Sequence, residues 1–244
     1  MKGQIRPSED SKTKFSKSER NTFGLPPGPP PGGSCPGATC GRGGCWMDCG
    51  TPVCYAWRLT RFRPAAAKVL EHNMKLLKSC SGQDRVDILV REFLRFKYGD
   101  GGKFYRLHWS GDFFSAAYAR DLMEACAKVP DVTFWNFTRN FSEPVVAAIA
   151  EHKPGNVVQY VSADEVNLEQ AVKTTEKFPG TFKFSYMGAC KPEGFPGLKD
   201  CPANFPHKNA IEFMCSKCRM CLKGRPVFFR TRGAGVKQKT GEDK

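Results

Sequence analysis

Nine of the twelve cysteines fall into two groups, one near each end of the 244-residue chain. The members of the first group are Cys35, Cys40, Cys45, Cys49 and Cys54. The members of the second group are Cys201, Cys215, Cys218 and Cys221. Thiolates crowded together are concentrated negative charge, which a folded protein stabilises with a metal or removes by oxidation. The spacing therefore predicts a metal centre at each end of the chain.

The second group favours an iron–sulfur cluster. Cys215, Cys218 and Cys221 are spaced in steps of three, so one tightly coiled loop can direct three thiolates towards one cube of iron and sulfide. Bacterial ferredoxin loops combine such a run with a remote cysteine followed by proline, and Cys201-Pro202 supplies that element. Tetrahedral zinc can use the same four cysteines, and it remains the alternative metal.

The first group leaves the ligand set open. Three residues separate Cys45 from Cys49, and four separate Cys49 from Cys54. This approaches the C-x3-C-x2-C loop that holds a four-iron cluster with one iron left open, but its last gap is longer. Cys35 or Cys40 could replace one member, or the group could form a closed structural zinc site with a spare thiol.

The elements that must position these cysteines follow a repeating pattern. Short aromatic or β-branched runs start 29, 24 and 24 residues apart, with helical stretches between them. These predicted strands are Phe104 to Trp109, Thr133 to Phe137, Val157 to Val161 and Thr181 to Tyr186, and a helical pattern from Pro64 to Lys97 precedes them. Parallel strands need such long crossovers. The fold class is therefore predicted to be α/β, with a parallel sheet or partial (β/α) barrel and cysteine-rich metal-binding loops at both ends.

The residues that directly follow the predicted strands are candidates for a site. Ligands of parallel sheets bind at the carboxyl ends of the strands. Strand by strand, the candidates are Ser110, Gly111 and Asp112, then Thr138, Arg139 and Asn140, then Ser162 and Asp164, and then Met187 and Cys190. The Asp112 carboxylate could hold a hydroxyl, an amine or an arginine, and Arg139 could hold a carboxylate or phosphate. In the structural alternative, Ser110 to Asp112 only cap a helix, or Asp112 and Arg139 pair with each other.

Composition divides the chain into three parts. Residues 1–33 are polar and then rich in Pro and Gly, which predicts a disordered leader. Residues 34–232 are predicted to form a single α/β domain, with a cysteine loop at 35–54 and a cysteine cluster at 201–221. Residues 233–244 are predicted to be a basic, flexible tail.

The formal net charge of +14 is unevenly distributed and indicates a polyanionic partner such as nucleic acid. Counted from the sequence, residues 1–33 carry +3, residues 57–106 carry +7 and residues 222–244 carry +5, whereas residues 107–221 sum to −1. No apolar run reaches about 18 residues, so no membrane partner is expected. A secretory signal is also missing, which predicts a soluble cytoplasmic protein whose reduced thiols bind metal.

Several motifs resemble the phage family called gene product 88. They are Cys35-Pro36-Gly37, Cys54-Tyr55-Ala56, the stretch from Arg106 to Ser115 that contains Ser110-Gly111-Asp112-Phe113-Phe114, the stretch from Phe134 to Arg139, and the final cysteine run. The resemblance covers roughly residues 35–221. It implies a phage or prophage setting, and hence the cytoplasm of a host cell, rather than a particular activity.

A more distant resemblance is to radical S-adenosylmethionine enzymes, which also place a cysteine-rich loop ahead of a parallel partial barrel. It implies that Cys45, Cys49 and Cys54 carry the open cluster and that the second group holds an auxiliary cluster. Ser110, Gly111 and Asp112 would then face the methionine end of the cofactor, and Arg139 or Asn140 its carboxylate. Asp112 and Arg139 are accordingly the predicted catalytic residues.

Three functions are compatible with these patterns. The first is a radical S-adenosylmethionine-like iron–sulfur enzyme that acts on a nucleic acid or another polyanion and receives electrons from a reductant protein. The second is a non-catalytic nucleic-acid-binding protein that zinc or iron–sulfur clusters stabilise. The third is electron transfer through two clusters. An enzyme requires the first cysteine group and the Asp112 region to lie within reach of one substrate, whereas a zinc scaffold does not.

Overall fold

The computed structural model describes residues 3–8, 13, 15, 19–39, 44–46, 54–204 and 214–231. In this part of the chain the helices are α1 (Tyr55–Phe62), α2 (Pro64–Lys78), α3 (Gln83–Leu94), α4 (Ala116–Ala127), α5 (Glu143–His152), α6 (Leu168–Lys177) and α7 (Met214–Cys218). The strands are β1 (Phe104–Arg106), β2 (Thr133–Thr138), β3 (Val157–Ala163), β4 (Phe182–Gly188), β5 (Lys199–Asp200) and β6 (Val227–Arg230). A π-helical turn, Arg95–Gly99, extends α3, and a 3-10 turn, Pro202–Asn204, follows β5.

The described strands form one parallel sheet that curls into a half-barrel. Their order is β1-β2-β3-β4-β6-β5, and every neighbouring pair is parallel. Helices α4, α5 and α6 are the crossovers between successive strands from β1 to β4. The α/β class and the parallel, partly closed sheet predicted from the strand spacing are confirmed.

The two faces of the sheet have different roles. Phe134 of β2 packs on Phe93 of α3, with ring centroids 4.6 Å apart, so its face carries the helices and the main core. Alternate residues of a strand point to opposite faces. Trp135 and Phe137 therefore lie on the other face, where Phe137 stacks on Tyr160 of β3 at 4.9 Å. We call this second face the inner face.

The leader differs from its sequence-based expectation of disorder. Phe23 and Leu25 are fully buried in the core, and Ile5 is 1% exposed. The backbone also runs beside β1: the Arg106 N–H donates to Asn21 O at 2.9 Å, and the Leu25 N–H donates to Ser110 O at 2.8 Å. An edge strand leaves backbone N–H and C=O groups unpaired, and the leader pairs with some of those of β1. Burial of the leader's apolar side chains in the core stabilises this arrangement. These described parts of residues 1–33 are thus part of the folded body.

Other boundaries also differ from the prediction. β1 ends at Arg106 rather than Trp109, because the backbone at His108 turns to a positive φ of 21° and leaves the ladder. β5, β6 and α1 were not predicted, since each is short and lacks a clear periodic pattern. The tail at residues 233–244 lies outside the described residues. Among the described helices, none has the length and apolar content needed to cross a membrane.

Candidate functional site

The four cysteines of the second group line one cavity of about 30 Å³, which we call the cysteine cavity. Cys201 directly follows β5, and its N–H donates to Phe228 O at 2.9 Å. Cys215 and Cys218 lie on α7, and Cys221 lies in the turn after it. Burial raises the pKa of the Cys221 thiol, and the nearby charges of Cys215, Cys201 and Cys218 raise it further. The structure thus brings together all four residues that the spacing had grouped.

The cysteine cavity lies against the inner face of the half-barrel. Trp135 and Phe15 contribute to its lining. The Tyr160 hydroxyl on β3 donates to the backbone oxygens of Cys221 and Arg225, at 3.2 and 2.9 Å. These bonds anchor the cysteine-bearing turn to the centre of the sheet. The fold itself therefore holds the turn that carries Cys221 against the sheet.

The kind of metal group that the cysteine cavity could hold depends on how its thiols are arranged. Within the described residues, no group of three or more His, Cys, Asp and Glu side chains is arranged to hold one metal ion. A single zinc ion draws its sulfur ligands to about 2.3 Å from one centre. An iron–sulfur cluster instead distributes its thiolates over several iron atoms around a larger body. The four cysteines of the cavity are residues of the type that either kind of group requires.

The first cysteine group lies on a segment that contacts the carboxyl ends of β2 and β3, at Arg139 and Asp164. Cys40 and Cys49 lie outside the described residues. Burial raises the pKa of the Cys35 thiol, and the charges of Asp112, Cys54 and Cys45 raise it further. Burial also raises the pKa of the Cys54 thiol. The charge of Cys45 raises this pKa further, and the charge of Arg139 lowers it. The Cys54 N–H donates to Cys45 O at 3.1 Å, and the Asp112 N–H donates to the hydroxyl of Ser34, next to Cys35, at 3.2 Å. The three described cysteines therefore lie close to the ends of β1 and β2.

The cysteine segment is attached to the strand ends by direct contacts. The Thr39 hydroxyl donates to Asp164 Oδ2 at 2.6 Å, and it accepts the Cys45 N–H at 2.9 Å. Gly37 packs so closely on the next strand end that a Cβ there would lie 1.7 Å from Arg139 O. We call the surface formed by these strand ends and the attached cysteine segment the carboxyl rim.

Gly37→Ala should therefore lower the free energy of unfolding by about 1–3 kcal/mol, because the added methyl overlaps backbone atoms that cannot move aside. Gly32→Ala is the matched control, since a Cβ at Gly32 meets nothing within 4 Å. Its effect should stay within about 0.5 kcal/mol. Urea unfolding of both variants measures the difference, and equal losses would show that the segment does not press on the rim.

Asp112 is held at the rim by hydrogen bonds from its own chain. Oδ1 accepts the Phe113 N–H and the Thr138 hydroxyl, and Oδ2 accepts the Arg139 N–H, each at 2.7 Å. Burial raises the pKa of Asp112 to about 6, although these three bonds act in the opposite direction. Asp112 thus contacts the backbone of Arg139 and not its guanidinium. Oδ2 accepts this one bond from the described residues, which leaves it acceptor capacity for a further donor.

The guanidinium of Arg139 pairs with Asp164, which follows β3. Asp164 is fully buried, and the Arg139 side chain is 13% exposed. Asp164 Oδ1 also accepts the N–H groups of Val166 and Asn167, at 3.0 and 3.2 Å. The predicted alternative, an Asp112–Arg139 side-chain pair, is therefore replaced by an Arg139–Asp164 pair. Arg139 also approaches the Met187 sulfur at the end of β4, at 3.8 Å.

The remaining predicted cofactor residues have structural partners. The Ser110 hydroxyl donates to Leu25 O at 2.8 Å. Gly111 has a φ of +81°, which only glycine adopts readily. The Asn140 side-chain amide donates to Phe113 O at 2.8 Å. These contacts hold the leader and the strand ends in place, so the structure gives each residue a role without a ligand.

Two contributors were missed by sequence reasoning. Thr39 lies in a Gly-rich loop, where a hydroxyl gives no signal of its tertiary partner. Arg106 lies between the two cysteine groups: its Nη2 donates to the hydroxyl of Tyr55, next to Cys54, at 3.1 Å, and its charge lowers the pKa of Cys221. Because side chains alternate along a strand, Arg106 could be expected on the face opposite the buried Tyr105. Its position between the two cysteine groups could not be expected, since that depends on how the sheet curls.

Comparison with known proteins gives a consistent family assignment. The family model described as gene product 88 matches residues 2–224. The Gene 88 protein of Mycobacterium phage L5 is 32% identical over 227 residues, which cover 86% of this chain and 87% of the relative. The Gene 88 protein of Mycobacterium phage D29 is 33% identical over 225 residues, with the same two shares. No solved structure matches the chain.

Proposed function

The chain belongs to the gene product 88 family, and we propose that it is an iron–sulfur protein with one cluster site at each of its two cysteine groups. The observation that carries this proposal is the cysteine cavity, where four cysteines with ferredoxin-like spacing surround one space. Zinc can use the same four cysteines as a tetrahedral site, but the steps of three between Cys215, Cys218 and Cys221 favour a cube of iron and sulfide. A four-iron cluster is therefore the group that we assign to Cys201, Cys215, Cys218 and Cys221.

The second cluster site is proposed at the carboxyl rim. Cys45 and Cys54 would supply two of its ligands, and Cys49, which lies outside the described residues, would supply the third. Cys35 faces the same group and is the alternative ligand. Metal binds the thiolate form of cysteine, so metal binding at this site would have to overcome the burial that raises the pKa of Cys35 and of Cys54.

The convergence of the cysteines with Asp112 and Arg139 supports a catalytic role for the rim, of the radical S-adenosylmethionine type. When bound, the cluster and this cofactor would together supply one-electron reductive cleavage of a carbon–sulfur bond. Asp112 Oδ2 would accept a hydrogen bond from the cofactor's amine. Asp164 would hold the Arg139 guanidinium in place beside the site. Ser110 and Asn140 would act through the backbone that they position rather than as direct ligands.

The proposed target is a nucleic acid or another polyanion, which the excess of basic residues outside 107–221 supports. The reaction needs electrons, so a reductant protein is a proposed partner. The proposed location is the cytoplasm of the host cell, where thiols stay reduced and available to metal.

The test of the catalytic proposal is cofactor cleavage. Protein purified without oxygen is incubated with dithionite and S-adenosylmethionine, and 5′-deoxyadenosine is measured by mass spectrometry. We expect product with the unmodified chain and with Cys190→Ser, whose exposed thiol lies outside both groups. We expect none with Cys45→Ser. Iron and sulfide without cleavage would contradict the radical-type reaction and favour electron transfer.

A further inference from the structure

Helix α1 begins directly after Cys54 and presents aromatic rings to solvent. On its packed side, Ala56 and Leu59 contact Leu70 of α2 and Trp109. Away from this contact, Phe62 is 78% exposed. The Tyr55 ring is 56% exposed, although its hydroxyl donates to Trp109 O and accepts a bond from Arg106. Large aromatic side chains normally bury most of their surface, so two exposed aromatic rings on one short helix indicate a binding surface.

The same surface is strongly basic. Residues 55–70 contain four basic residues and no acidic residue, and all four are exposed: Arg58, Arg61, Arg63 and Lys68. None of the four forms an ion pair with any part of the chain that the structure describes. By contrast, Lys173 and Lys177 on α6 each pair with a glutamate at 2.6 Å. No acidic side chain of the described residues therefore neutralises the charge of α1, and an anionic partner could do so.

We propose that α1 and the start of α2, residues 55–68, bind single-stranded nucleic acid and hold it beside the carboxyl rim; we call this the α1 surface. Arginines bind phosphates, and exposed aromatic rings stack on unpaired bases. Tyr55, Arg58 and Phe62 lie at helical spacings of three and four, so they share one face. A duplex keeps its bases stacked inside and cannot offer them to Phe62. The inference rests on the polyanionic target of the proposed function, and not on its clusters.

The test is fluorescence anisotropy of the full-length protein with labelled single strands of roughly 20 nucleotides, one of DNA and one of RNA, and with a DNA duplex of equal length. Arg58→Gln with Arg61→Gln should weaken single-strand binding by about tenfold at physiological salt. The salt dependence should also fall by about 1.4 in slope, since each lost phosphate contact removes about 0.7. Phe62→Ala should weaken binding by about fivefold or more with little change in slope.

The matched control is Lys173→Gln with Lys177→Gln, which removes the same formal charge from exposed positions on α6. It should leave affinity and slope unchanged. If the two double variants lose the same affinity for single strands, the effect comes from net charge alone, and the inference is overturned. Tighter binding to the duplex would also overturn it, as would binding to anionic lipid vesicles that Phe62→Ala abolishes while single strands do not bind.

Iron and acid-labile sulfide are measured on the same samples, so that this inference and the proposed function fail separately. Protein that contains iron and sulfide but does not bind single strands would overturn the inference about the α1 surface and support the proposed clusters. Strand binding by protein without iron would support the α1 surface and contradict the clusters.

Discussion

Cys218→Ser is expected to remove roughly half of the iron and sulfide from the protein, because it breaks one of two proposed clusters. Serine offers a hard, protonated oxygen where the cluster needs a soft thiolate. The proposed cluster would also join β5, α7 and the turn that Tyr160 anchors. Since metal binding contributes to folding, the thermal midpoint should fall by about 10 °C or more. Elemental analysis, sulfide assay and calorimetry on protein purified without oxygen measure these changes.

Cys190→Ser is the control for this variant, because Cys190 is exposed and belongs to neither cysteine group. It should retain all the iron and sulfide and melt within a few degrees of the unmodified chain. If Cys218→Ser keeps its full iron content, the cysteine cavity does not hold a cluster. If both variants lose the same amount, the loss reflects general thiol damage.

Asp164→Ala should lower the free energy of unfolding by about 3–5 kcal/mol, the usual cost of breaking a buried ion pair. Asp164 is fully buried, and its loss leaves the Arg139 guanidinium without its partner. It also removes the acceptor of the Thr39 hydroxyl, which attaches the cysteine segment to the rim. Guanidinium chloride unfolding of the apo protein measures the change without a contribution from metal.

Glu165→Ala is the adjacent control, since Glu165 is exposed and forms no ion pair among the described residues. Its effect should stay within about 0.5 kcal/mol. A similar small effect of Asp164→Ala would mean that the Arg139–Asp164 pair does not hold the rim together.

The parallel sheet was predictable because its signal is local and repeated. Thr133 to Phe137 and Val157 to Val161 are apolar runs at crossover spacing, and both became strands in neighbouring positions. The start of α4 was also predictable: the Ser115 hydroxyl accepts the Tyr118 N–H at 3.2 Å, as an N-cap does. The leader was not, because its pairing with β1 joins residues about 85 positions apart, and its prolines suggested an isolated extended segment.

The candidate site was only partly predictable for a similar reason. The grouping of Cys201 with the final run followed from the sequence, since Cys-Pro and the steps of three form a known pattern. The Asp112 N–H donates to the hydroxyl of Ser34, next to Cys35, and this contact was not predictable because it depends on the half-barrel. The resemblance to radical S-adenosylmethionine enzymes implied proximity only for Cys45, Cys49 and Cys54. Ser110 was a candidate for ligand binding, but its hydroxyl meets a carbonyl of the leader, which no local pattern reveals.

Iron and acid-labile sulfide, measured together with the optical spectrum of protein purified without oxygen, test whether this chain carries clusters. Two four-iron clusters predict about eight iron and eight sulfide per chain, with a visible absorption band that dithionite bleaches. Stoichiometric zinc without sulfide would contradict the proposal. The two cysteine groups would then be structural, and the chain would be better described as a non-catalytic, zinc-stabilised nucleic-acid-binding protein.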